Sequence, residues 1–291
     1  MILGKSQNRT GSVDRMIISD LFDSYVKYVL HAGSTDGYRA SYPALFDHYF
    51  RYWADENNPI IKMTESELAE RSAMMRRESR SVEGKIRASG LDINDLQVVL
   101  FVGTGSTNGH AFKDNNRFVV WLPVETYSSP LLARVFATHE IIHALHYNAS
   151  PEFYFDSKED LRRVSRQLAA EGLATYLTMR ILDCDEITAL WADYLSEDKA
   201  GLWMDEFRSR EREIFGYLLE NFSSGDPEIM PFVAADPADI LRYRAGYYAG
   251  LKLIRQIADQ NRFGPEELLA IKRGRFERLL AENLRMILSD A

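Results

Sequence analysis

The stretch ATHEIIHALHYN, residues 137–148, sets two histidines and a glutamate in an apolar run. Its register decides what the fold must accommodate. On a helix, residues four apart lie on one face, one turn up, so His139 and His143 point the same way. Two imidazoles so arranged can reach one metal ion at about 2.0–2.1 Å. Glu140, next to the first of them, then stands beside the ion, where it can take a proton from water. The competing reading is a buried helix whose polar groups find protein partners. Left unpartnered, each such group costs about 1–3 kcal/mol, which makes a metal the more economical answer.

The flanks support a helix. Ser129 and Pro130 form a start, with serine as cap and proline in the first turn, and Asn148 to Pro151 stops it. A third protein ligand is then needed. The metzincin pattern would place glycine and histidine where this chain has His146 and Ala149, so that route fails. His146 is nearly a turn beyond His143 and is expected in the core or behind the ligands. The better candidate is Glu171, in LAAEGLATYL. Ser157 with Asp160 is a cap pattern that opens a helix to about Leu182, and the linker 148–157 can span up to about 33 Å. That helix can therefore return antiparallel and bring Glu171 opposite His143. Gly172 and Ala174 would let it approach the metal helix closely, since a glycine within a helix costs about 1 kcal/mol and needs a packing reason.

Outward from this centre the pattern changes. LQVVLFVG (96–103) and RFVVWLPVETY (117–127) are rich in β-branched and aromatic residues and read as strands. Pro123 cannot donate a ladder hydrogen bond, so the second strand is expected at an edge or to end there. One or two further strands are expected within 88–127. Upstream, MIISDLFDSYVKYVL (16–30) and YPALFDHYFRYW (42–53) have helical spacing, and Thr64 with Glu67 is a capping box for a helix that breaks near Ser89-Gly90. Downstream, Asp236-Pro237 and Gly264-Pro265 open further helices. The expected organisation is a helical segment 1–92 and a core 93–291, with one continuous domain as the alternative, and α+β architecture, predominantly helical with a small mixed sheet.

Bulk properties narrow the function. A chain of 291 residues can bury a large core, and a formal net charge of −8 argues against nonspecific nucleic-acid binding. The short basic run RRESR (76–80) reads as a solvated helix face. One cysteine, Cys184, excludes an internal disulfide and reads as incidental. The stretch 1–16 lacks the apolar core of a secretory signal and no uninterrupted apolar run could span a bilayer, so a cytoplasmic location without membrane insertion is expected. GTGSTNG (103–109) looks like a phosphate loop, but its spacing is G-x-G-x-x-x-G and no helix follows; a cleft rim or a hairpin loop fits better.

HEIIH followed by EGLATYL resembles the gluzincins, the thermolysin-like zinc metallopeptidases, whose third ligand is a glutamate on the following helix. More narrowly, over about residues 93–270 it is similar to a bacterial family of predicted zinc-dependent proteases combining HExxH, a downstream EGLA segment and a late GYxxG-like helix, here GYYAG (246–250). The resemblance implies a zincin-like core. It also implies a zinc ion on His139, His143 and Glu171, Glu140 as general base, and a peptide or protein substrate lying antiparallel along an edge strand, for which 117–124 fits; a core hairpin is the plain alternative. It further implies a tyrosine or histidine opposite the metal as oxyanion donor. Tyr247 is the first choice and Tyr243 the second, with core packing expected of at least one among Tyr243, Tyr247 and Tyr248. A different class, a metal-stabilised scaffold without chemistry, shares the ligands but has no use for a base at Glu140.

Overall fold

In the α+β fold, four strands carry the pairing and helices carry most of the mass. The computed structural model describes residues 15–61, 63–155, 157–229, 239–241 and 243–289. The strands are β1 (Ile17–Asp20), β2 (Gln97–Phe101), β3 (His110–Asp114) and β4 (Arg117–Pro123), in the order β1-β2-β4-β3. β1 and β4 run parallel to β2, and β3 is antiparallel to β4, so the sheet is mixed. Every residue of β2 is buried. Successive strand side chains point to opposite faces, so both faces of β2 are covered, which is why QVVLF shows no apolar–polar alternation.

Three expectations change here. MIISD is a strand at its start, followed by short helical turns at Phe22–Tyr25 and Val26–His31. Its apolar spacing is compatible with a helix, but pairing with β2, nearly eighty residues away, overrides the local preference. Second, β4 is an inner strand; the edges are β1 and β3. The stretch 117–124 has neighbours on both sides and cannot take an added peptide strand. Pro123, opposite Phe101, is the last residue of β4, where a missing donor costs least. Third, β3 lies in the stretch between the two recognised strands, as expected of a missed strand, whereas β1 lies far upstream of it.

The eight helices of ten or more residues among those described are α1 (Pro43–Tyr52), α2 (Glu65–Ala88), α3 (Pro130–Ala149), α4 (Val164–Leu182), α5 (Glu197–Ser209), α6 (Glu211–Glu220), α7 (Ala245–Asn261) and α8 (Arg273–Ser289). Their caps follow the sequence. Thr64 and Glu67 form a reciprocal capping box at α2, and the Ser129 hydroxyl accepts from the Leu132 N–H at α3. Ser157 caps as expected, but the helix it opens ends at Arg162; Arg163 is extended at ψ 120°, and α4 starts afresh at Val164. The start expected at Asp236-Pro237 lies outside the described residues, as does the polar stretch 1–12.

Helix α3 is central. It packs on β3 and β4, on α2 and on α4, and is buried around nearly its whole circumference. Helix α4 is held between α3, α7 and α8. The segment up to residue 92 is woven into this arrangement: β1 extends the sheet, α1 packs on β3, and α2 packs on α3. No helix among the described residues is long and apolar enough to cross a membrane.

Candidate metal centre

Helix α3 presents His139 and His143 one turn apart, and α4 brings Glu171 against both. Glu171 Oε2 lies 3.1 Å from His139 Nε2 and 3.2 Å from His143 Nε2, and the two Nε2 atoms are 3.1 Å apart. Ligands of a tetrahedral ion at 2.0–2.1 Å stand about 3.3–3.4 Å from one another, so this triangle of donors has the size such an ion requires. Two imidazoles and a carboxylate are also a donor set that suits zinc. Among the described residues this is the cluster able to hold a metal.

The protonation pattern follows from crowding. Burial lowers His139, partly offset by Glu171. Burial would lower His143 too, but the Glu171 carboxylate overrides it and raises the group. Burial would raise Glu171, yet the neighbouring imidazoles hold it well below the ordinary carboxylate range. A carboxylate held ionised between two nitrogen donors is the form that binds a cation. His143 Nδ1 is buried without a partner, so its ring is oriented by packing, stacked on Tyr147 with centroids 5.7 Å apart.

Glu140 lies beside this cluster. It is buried, its Oε2 has no partner, and burial pushes its carboxyl up to about 7. Its place depends on Gly109, whose φ of +152° is one L side chains rarely adopt. A Cβ there would lie 3.1 Å from Glu140 Cγ and 2.8 Å from a Leu122 methyl. His139, Glu140, His143 and Glu171 open on a cavity of about 460 Å³, whose far rim is Ser106 to His110.

That rim disposes of the phosphate-loop likeness. The N–H groups of Gly103 and Gly105, which would cradle an anion, donate to the Glu125 carboxylate at 3.0 Å each. The loop is pinned further by Tyr49, whose hydroxyl accepts from the Thr104 N–H. It is a nest already filled by the chain's own carboxylate.

The tyrosines separate cleanly. Tyr247 lines the cavity, its ring 6.1 Å from that of His139, and burial raises its hydroxyl pKa. Tyr243 packs on Trp191 away from the cavity, which removes it as the second choice. Tyr248 donates to Glu186 on another face of α7. His146 is buried against Phe153 and Phe276 and takes no part in the donor cluster. Gly172 does serve a close approach, but not to α3. A Cβ on it would lie 2.6–2.8 Å from the Gly250 backbone, and one on Gly250 would lie 2.7 Å from Gly172 Cα. The two glycines let α4 and α7 cross nearly in backbone contact, which brings Tyr247 to the cavity wall.

Sequence reasoning missed His110, Arg166 and Arg244, which all line the cavity. His110 is the first residue of β3, stacked parallel to His48 at 5.7 Å and buried with Nε2 unpartnered; burial holds it well below its ordinary pKa, hence neutral. The alternation H-A-F-K could have signalled a strand, but the flanking glycines and asparagines masked it. Arg166 sits one turn before the ligand region of α4, its Nη2 3.2 Å from Tyr147 Oη. Neither arginine carries a local signal, because its role depends on what lies across the cavity. No family model, no curated protein and no solved structure matches this chain.

Proposed function

We propose that this protein is a zinc-dependent hydrolase with a zincin-like core, most economically a peptidase of the gluzincin type, working in the cytoplasm. One observation carries the reading: three donor atoms 3.1–3.2 Å apart share a cavity with a buried carboxylate that lacks a partner. His139 Nε2, His143 Nε2 and Glu171 Oε2 would hold the ion. When bound, zinc supplies Lewis acidity, lowering the pKa of water and polarising a carbonyl. Glu140 accepts the proton from water and returns it to the leaving amine. Its burial supports this exchange, since burial works against the ionised form and favours uptake of a proton. Tyr247, protonated because burial raises it, donates its hydroxyl hydrogen to the developing oxyanion. The cavity wall and the sheet edge it touches are both formed at His110, so a peptide would lie along β3 rather than along 117–124.

A metal-stabilised scaffold would need the same ligands but not an unpartnered base beside a cavity. The test is elemental analysis of the purified protein together with a mixed peptide library. About one zinc per chain and cleavage that disappears in Glu140→Gln are expected. Protein that takes up no divalent metal, or a Glu140→Gln variant that cleaves as well as the parent, would overturn the reading.

A further inference from the structure

The cavity holds two arginines anchored in different ways. Arg166 is buried and committed: Nε donates to the Phe153 carbonyl at 2.6 Å, Nη2 to Tyr147 Oη at 3.2 Å, and Asp160 lies 4.0 Å away. Arg244 is half-buried and, among the described residues, makes one hydrogen bond, from Nη2 to the Leu190 carbonyl at 2.8 Å. Its Nε is buried without a partner, and no carboxylate of the described residues pairs with it. The guanidinium instead lies close to aromatic rings, 4.7 Å from the Trp191 centroid and 4.6 Å from that of Tyr247. The residue adopts a left-handed backbone, φ 59° and ψ 10°, immediately before α7. Such a conformation is strained in a residue with a side chain and persists where the surroundings demand it.

A guanidinium that lines the cavity close to two aromatic rings, with no carboxylate partner among the described residues, is placed to receive an anion through charge-assisted hydrogen bonds. It lines the same cavity as the donor cluster. Tyr247 touches both, its ring 6.1 Å from the His139 ring and 4.6 Å from the guanidinium. One residue of extended peptide spans about 3.3–3.6 Å and a charged hydrogen bond adds about 2.7–2.9 Å, so a carboxylate on the residue flanking the cleaved bond comes within reach.

We infer that Arg244 receives a substrate carboxylate carried by the residue beside the scissile bond. That makes it a specificity-determining residue, and the substrate class is peptides with an anionic group there. The carboxylate can be the peptide's own C-terminus or an acidic side chain. The inference rests on the hydrolase reading above.

The experiment uses full-length, zinc-loaded Glu140→Gln protein, so that peptides bind without being cut. Dissociation constants are measured for acetyl-Ala-Ala-Ala and its amide, and for acetyl-Ala-Glu-Ala-amide and its glutamine counterpart. The acid of at least one pair should bind about 10- to 100-fold tighter than its neutral partner. Adding Arg244→Met should bring that ratio close to one, with Arg244→Lys keeping part of it. The pair that responds identifies the C-terminus or the side chain as the source. Equal binding of acid and neutral partners, or a preference that survives Arg244→Met with melting temperature unchanged, overturns the inference. So does a loss of affinity equal for both members of a pair. The hydrolase reading fails by a different sign, namely no zinc at the cluster or cleavage indifferent to Glu140, and neither measurement involves Arg244.

Discussion

Two buried glutamates on neighbouring elements, Glu125 and Glu140, are 7% exposed each, and burial raises both. Glu125 spends its two oxygens on the Gly103 and Gly105 N–H groups and ties a loop to the end of β4. Glu140 keeps one oxygen unpartnered against a cavity. Burial alone therefore does not mark a functional carboxylate; the count of satisfied lone pairs does. The same contrast separates Arg166 from Arg244, and His146 in its aromatic packing from His143 in the donor triangle.

The comparison breaks most visibly at the metal. His139→Ala or Glu171→Ala should abolish stoichiometric zinc, read by elemental analysis after dialysis, whereas His146→Ala should leave it in place. Next in size, Glu140→Gln should retain zinc and the parent's melting temperature while lowering turnover about 10²–10⁴-fold. Glu125→Ala should do the reverse. It strands two N–H donors and costs about 1–3 kcal/mol or more in chemical denaturation, while the protein that remains folded binds zinc normally. If Glu125→Ala instead left stability untouched, the structural half of the contrast would be wrong. A comparable loss, about 1–3 kcal/mol, is expected of Gly172→Ala, whose added methyl meets the Gly250 backbone at 2.6 Å; an unchanged denaturation midpoint would mean that α4 and α7 are not in contact there.

The smallest effect concerns pH and lies outside the cavity. Burial alone would raise Asp160, but hydrogen bonds from Arg273 pull it below its ordinary 3.8. Its folded value is thus depressed relative to the unfolded chain. The stability it contributes is present above about pH 4 and is lost as pH falls through the folded value. Between pH 5 and 3 the parent should lose more melting temperature than Asp160→Asn; parallel curves would remove this linkage.

Much of the centre was legible because it is local. The four-residue spacing of His139 and His143 on a capped helix places both imidazoles on one face whatever else the chain does. Glu171 required only one more step, the length available for the next helix to return. Its position was reached despite a wrong detail, since α4 starts at Val164 rather than at Ser157. Gly172 does permit a close approach, yet the partner is Gly250, some eighty residues away, a pairing no local pattern encodes.

Short-range geometry alone accounts for the capped helices, the strands β2 and β4, and the shared face of His139 and His143 on α3. Every role set by a distant neighbour arose only with the packing. β1 became a strand because β2 offered it a ladder, and β4 became an inner strand because β3 covers its other side. Glu125 filled the glycine nest, while Arg244 was left among aromatic rings with no carboxylate partner among the described residues. A helix face follows from 3.6 residues per turn, whereas a sheet order or an unpaired charge follows from which surfaces meet after the chain has closed on itself.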